Sequence, residues 1–240
     1  DIEQAHITYS LDNGVSFTIG KYGSALGFER EDPAGLYTYS RAYSSSSFNL
    51  GDVDSNVVEG LTVAYANDSF SIGASLENGA DADIDTDNLN LELALSYTGF
   101  ENITIGGGYY FDNQDSNNNN AETDILNVHV STNVGKLFLA AEYTELDRND
   151  GVSDDGYLLL ADYTVNDKIG VALRISSNET ELASRAPGAA AVGTYADYDK
   201  VTIAPRYAIS DNLGAILEYS DADLGDDDVD LLAIELTYTF

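Results

Sequence analysis

The sequence contains no cysteine and no methionine, only three prolines, and only 10 Lys+Arg against 42 Asp+Glu. Each shortage excludes something. Without cysteine there is neither a disulfide frame nor a thiolate metal site, a composition compatible with an extracytoplasmic home. A net charge of −32 removes the basic face that nucleic-acid binding needs. Apolar runs are short as well: "YLLLA" (157–161) is among the longest, far below the ~18 residues of a membrane helix. If a membrane is crossed, a helix is not what crosses it. Methionine is missing even at position 1, so the chain is expected to start as a processed or truncated product, and no signal peptide is visible. Strong acidity can mean disorder, but 43% hydrophobic residues and 17 tyrosines argue for a folded chain.

What is present is a period of two. In "DLLAIELTYTF" (230–240), Leu232, Ile234, Leu236, Tyr238 and Phe240 point one way, and Ala233, Glu235, Thr237 and Thr239 the other. This is strand geometry. The pattern predicts about thirteen strands, over 4–10, 15–20, 57–66, 69–77, 88–98, 101–111, 122–133, 135–146, 156–165, 168–177, 198–209, 213–221 and 230–240. Pro205 is the only proline inside one of them. No helix with convincing length and caps is visible.

Connections alternate between short and long. The short ones ("LDNG" 11–14, "AND" 66–68, "TGFE" 98–101, "NVG" 133–135, "VND" 165–167, "SDN" 210–212) have the Asn, Asp and Gly of tight hairpins. The long ones (21–56, 78–87, 112–121, 147–155, 178–197, 222–229) carry most of the acid. A transmembrane β-barrel has this asymmetry, with short periplasmic turns and long external loops. A soluble β-sandwich or propeller would alternate too. The tyrosines decide between them. Tyr9, Tyr65, Tyr97, Tyr163, Tyr207 and Tyr238 sit on the apolar face, one to three residues before a short turn or the chain end, and Phe240 joins them. Tyr109, Tyr143 and Tyr219 fall near the opposite rim. Two aromatic belts flanking an apolar band are what a bilayer interface selects. The expectation is an all-β, single-domain antiparallel barrel over 1–240, apolar face to lipid and polar face to a lumen.

Bacterial barrels of one chain usually have an even strand number with both ends in the periplasm. Thirteen is odd, and the first strand runs into a short turn, so an odd number of further strands is expected upstream. The 240 residues then read as a C-terminal portion. "IEQAHITYSLDNGVSFTIGKYGSALGFERED" (2–32), "YTYSRAY" (37–43) and "GLTVAYANDSFSIGASLENG" (60–79) resemble the OmpL-like β-barrel porin family. The likeness lies in an "EQAY"-type strand, a "GK" strand end, an "LGFE"-type stretch and a "YSRS"-type loop. It implies about three earlier strands, about sixteen in all, in the outer membrane of a Gram-negative bacterium, in contact with lipid and lipopolysaccharide. General porins are commonly trimers, so the resemblance also implies a homo-oligomer.

On that count segment 21–56 resembles in position the constriction loop that folds into general porins. It carries Glu29, Arg30, Glu31, Asp32 and Arg41. An external or oligomer-contacting loop is the alternative. Arg174, Lys200 and Arg206 alternate with apolar residues and should face the lumen, about half way round from that segment. Acid on the loop would then face a basic wall and set a transverse field, or the cations would pair with lumenal carboxylates. Glu92, Glu142, Asp162, Glu218 and Glu235 are expected inward, as are His6 and His129. Two histidines are too few for a His-based metal site, and no nucleophile motif suggests an enzyme. Asp81, Asp83, Asp85 and Asp87 stand at calcium-loop spacing, but Thr86 occupies the sixth position where glycine is wanted. Loose divalent contacts, bridging lipopolysaccharide phosphates, are expected there rather than a dedicated calcium site or any bound cofactor. The leading reading is a passive diffusion porin for small hydrophilic solutes and ions, cation-preferring. The alternative is a non-conducting structural or adhesive barrel with acidic ion-binding loops. A terminal phenylalanine after alternating apolar residues also resembles the assembly signal of outer-membrane barrels.

Overall fold

A computed structural model describes residues 2, 4–29, 36–43, 57–78, 89–113, 122–149, 151–182, 197–224 and 227–239. Among the described residues thirteen strands form one antiparallel sheet in sequence order. They are β1 (Ala5–Ser10), β2 (Val15–Gly23), β3 (Val57–Ala66), β4 (Phe70–Glu77), β5 (Asn90–Phe100), β6 (Ile103–Phe111) and β7 (Thr123–Val134). There follow β8 (Leu137–Arg148), β9 (Val152–Asn166), β10 (Ile169–Leu182), β11 (Tyr198–Ala208), β12 (Leu213–Leu224) and β13 (Asp227–Tyr238). β1 and β13 are the edge strands. No helix occurs among the described residues, and none is long and apolar enough to cross a membrane.

Every strand expected from periodicity is present, and the differences lie at the ends. β5 runs on to Phe100, and the turn moves to Glu101–Asn102, where Asn102 takes φ 61°. Asparagine tolerates this left-handed conformation better than its neighbours. Two connections expected to be long, 147–155 and 222–229, are mostly strand. β8 ends at Arg148 and β9 opens at Val152, with Gly151 at φ 88° donating its N–H to the Arg148 carbonyl (3.0 Å). Among the described residues Asp147, Asp155, Asp223 and Asp228 are paired in the ladder (Asp147↔Ser153, Glu145↔Asp155, Asp223↔Asp228) and carry the sheet beyond the apolar band.

Register fixes the two faces. On one face Leu93, Leu95, Val128, Val130, Leu139, Leu159, Leu173, Ile175, Leu232 and Ile234 are exposed. Water would not tolerate so broad an apolar surface, whereas lipid demands it. Tyr9, Tyr65, Tyr97, Tyr163, Tyr207 and Tyr238 are exposed on this face beside the short turns. Tyr143 and Tyr157 pair towards the other rim, rings 5.2 Å apart. Phe240 lies outside the described residues. The opposite face is polar and largely buried, because a segment of chain lies on it.

Candidate functional site

That segment is the connection between β2 and β3. Residues 24–29 leave β2 and cross the inner face of the sheet; residues 36–43 return along it. Carboxylates on the strands hold the outward limb by its backbone. Ser24 Oγ donates to Glu92 Oε2 (2.5 Å) and the Ala25 N–H to Glu92 Oε1 (2.8 Å) on β5. The Phe28 N–H donates to Glu142 Oε1 on β8 (2.5 Å). Between these anchors Leu26 packs with Tyr22, Val58, Tyr110, Ile125 and Leu146. Gly108 makes room for it: a Cβ there would stand 2.5 Å from Leu26 Cδ2.

The far end of the segment meets β10, β11 and β12. Arg174 is fully buried and donates to both oxygens of Glu29 (2.7 and 3.0 Å). Its guanidinium also reaches Thr38 Oγ1 (2.8 Å), the Ser40 carbonyl (2.7 Å), Ser40 Oγ (3.1 Å) and the Arg41 carbonyl (2.8 Å). Lys200 Nζ donates to Ser40 Oγ (2.5 Å). Glu218 accepts the Ser40 N–H (2.9 Å) and hydroxyl (2.5 Å). Ser176 Oγ donates to the Ala42 carbonyl (2.6 Å), and the Ala42 N–H to Glu29 Oε2 (2.7 Å). The planar fork of arginine suits this multiple recognition as a lysine ammonium does not.

Aromatic rings line the path. Phe138 stacks against Phe28 (6.1 Å, 18°) and Tyr37 (5.1 Å, 14°). Arg206 lies over the Tyr37 ring at 5.3 Å and donates to Asp162 Oδ2 (2.7 Å). The Tyr43 hydroxyl donates to Glu142 Oε2 (3.3 Å). Tyr43 lies in the connection, outside the spanning strands, and its burial, with Glu142 adding to it, pushes its phenol pKa well above the ordinary value.

The structure thus brings Arg174, Lys200, Glu29, Arg41 and Glu218 to one place, with Arg206 and Asp162 beside it. Of the two readings left open, a field between loop and wall or pairing of the cations with carboxylates, the described contacts match pairing, Arg174 with Glu29 and Arg206 with Asp162. The segment reaches the wall, and Arg174 touches Glu29 directly, because opposite charges shielded from water gain more from contact than from separation. Glu92 and Glu142 serve as backbone anchors, also under the segment. Glu235 is half-buried and accepts from Thr237 (3.2 Å). His6 is exposed on β1, edge-on to Tyr22 at 6.4 Å. His129, half-buried, tilts against Phe28 at 6.1 Å. Arg30, Glu31, Asp32 and the run Asp81, Asp83, Asp85 and Asp87 lie outside the described residues. Among the described residues no group of three metal-ligating side chains forms. Sequence reading passed over Thr38, Ser40, Phe28, Tyr37, Phe138 and Glu77. Strand parity was the available signal for Phe138 and Glu77; Phe28, Tyr37, Thr38 and Ser40 lie in the stretches that resemble the porin family, which marked them without giving them a role.

The sequence matches the family described as "Putative beta-barrel porin-2, OmpL-like" over residues 1–231. No curated protein matches it. Among solved structures it is similar to a loop L8 deletion mutant of OmpT, an outer membrane protein of Vibrio cholerae (TM-score 0.72, 18% identity, 98% of this chain and 79% of that one). It is also similar to the anion-selective porin from Comamonas acidovorans (TM-score 0.65, 13% identity, 93% and 68% covered). A third is OmpF of Salmonella typhi in complex with daunomycin (TM-score 0.65, 16% identity, 94% and 74% covered). At such identities the likeness establishes the fold, that of outer-membrane β-barrel porins. The match along nearly the whole sequence establishes more: the chain belongs to the OmpL-like beta-barrel porin family of the Gram-negative outer membrane.

Proposed function

We propose that the chain is a passive diffusion porin in which the segment between β2 and β3 narrows the lumen. The observation that carries this is the seating of residues 24–29 and 36–43 across the polar face, from Glu92 on β5 to Glu218 on β12. A lumen so narrowed passes small hydrophilic solutes down their gradients without chemistry, and no enzymatic step is needed. The reading includes a preference for cations. Arg174 and Arg206 are paired with Glu29 and Asp162, and Lys200 is bound to the segment. The acid of the chain far outweighs its base, 42 Asp+Glu against 10 Lys+Arg for a net charge of −32. The relative from Comamonas acidovorans is anion-selective, so the fold leaves the sign open and the charges must set it. Family resemblance supports a homotrimer. Exposed outward acids beyond Tyr219 (Asp199, Asp221, Asp223, Asp228, Asp230) suit divalent bridging to lipopolysaccharide phosphates.

The test is reconstitution in a planar bilayer under a salt gradient. Stepwise conductance with a cation-selective reversal potential is expected. Anion selectivity would overturn the charge reading, and a silent bilayer would favour a structural barrel instead.

A further inference from the structure

Glu77 ends β4 on the inner face. It is fully buried, and neither carboxylate oxygen has a hydrogen-bond partner among the described residues. The Tyr22 hydroxyl on β2 is buried and likewise without a partner. Ser75 stands opposite Glu92 and Glu77 opposite Asn90, so the two glutamates are diagonal neighbours across β4 and β5. Diagonal positions on one sheet face lie about 7–8 Å apart, within reach of long side chains. Gly60 faces Glu77 from β3, and Gly20 faces Gly60 from β2. Two glycines in a row leave the wall bare beside the carboxylate.

The surroundings are oxygen. The Ser75 hydroxyl bonds Thr62 (2.8 Å), and Asn90 Nδ2 donates to the Tyr110 hydroxyl (2.5 Å). Glu92 already accepts from Ser24 and Ala25. An ionised carboxylate taken out of water without hydrogen bonds demands a counter-charge. Two carboxylates with neutral hydroxyls and no thiolate or imidazole are a donor set for a hard cation. Calcium fits better than magnesium, because it accepts a variable number of oxygens in irregular geometry.

We propose that Glu77 and Glu92, with the hydroxyls of Tyr22 and Ser75, hold a hard divalent cation, best matched by calcium, at the root of the inward segment. Through Glu92 the ion ties Ser24 and Ala25 to the β4–β5 wall. The site is distinct from the acidic connections, and it does not depend on whether the barrel conducts.

The test uses the complete protein folded in detergent and stripped of divalent ions with EDTA. Thermal unfolding is followed against added Ca2+, with Mg2+ as a separate arm. Tb3+ luminescence excited through tyrosine gives a second readout, since the chain has 17 tyrosines and no tryptophan. A saturable rise in unfolding temperature with Ca2+ is expected, weaker with Mg2+, together with Tb3+ emission that Ca2+ competes away. Glu77→Gln should abolish both. Tyr22→Phe should weaken Tb3+ binding by about tenfold. Glu59→Gln, exposed on the outer face of β3, should change neither. No Ca2+ dependence in the wild type overturns the proposal. So does a dependence that survives Glu77→Gln, which would place the ions on the acidic connections. A protonated-carboxyl infrared band lost in Glu77→Gln, with no calcium effect, would assign a proton as the counter-charge instead. Should Glu77→Gln fail to fold, wild-type affinity in Tyr22→Phe overturns the proposal on its own.

Discussion

Replacing Arg174 by alanine should release the far limb of the inward segment while leaving the barrel folded. Arg174 is completely buried, and its guanidinium meets Glu29, Thr38, Ser40 and Arg41, all on the segment. Removing one partner of such a pair strands the other charge, at a cost of about 3–5 kcal/mol. The lost hydrogen bonds share in that cost rather than adding to it. At about 1.4 kcal/mol per tenfold, docking weakens by roughly two to three and a half powers of ten. Undocking lets Glu29 reach water, so the cost falls on the loop and not on the sheet, whose ladder is untouched. Ser24 and Ala25 remain held by Glu92, and Phe28 by Glu142, so the near limb stays seated. In single-channel recordings Arg174→Ala should show larger conductance and more open-channel noise, with normal heat-modifiable migration on gels. The double variant Arg174→Ala/Glu29→Ala should show the same raised conductance, since the pair that seats the far limb is absent in both. Wild-type conductance and noise in a correctly folded Arg174→Ala barrel would refute the reasoning.

Tyr43 gives a pH dependence. Its phenol ionises less readily in the folded state than its ordinary value near ~10. The stability this represents is present below pH ~10 and declines as pH rises beyond it, because the unfolded chain ionises first. Tyr43→Phe should flatten that alkaline decline, measured by urea unfolding at stepped pH; an unchanged slope would count against it. Leu173→Arg, on the lipid-facing side of β10, should lower folding stability in vesicles by about 2–4 kcal/mol. The same change at inward Thr202 would be judged by crowding of Arg174 rather than by lipid (3.4 Å from its Nη2). Gly108→Val would drive a side chain into Leu26 and the Leu93 carbonyl. It should unseat the near limb and raise conductance, and an unaltered channel would show that Leu26 does not pack there.

Much of the fold was readable along the chain because a barrel is built from local rules. Side-chain alternation names the faces, and Asn, Asp and Gly place the hairpins at Leu11–Gly14 and Ser210–Asn212. The inward positions of Arg174, Glu92 and Glu218 follow from counting by two. Strand ends were read less well. The stretch before Tyr157 reads as polar loop, yet Ser153, Asp154 and Asp155 are paired in β9. Ladder hydrogen bonds outlast the apolar pattern once the strand leaves the lipid.

The sequence by itself determined the strand count, the two faces, the tyrosine belts and the excess of acid, since each depends on residues a few places apart. The tertiary structure decided where the β2–β3 connection goes. Glu29 and Arg174 are separated by 145 residues and Ser40 and Glu218 by 178, and no pattern of period two pairs them. Their meeting depends on how far the segment reaches across the curved sheet. Glu77 belongs to the same class. Parity places it inward, but only the tertiary structure buries its carboxylate with no hydrogen-bond partner among the described residues.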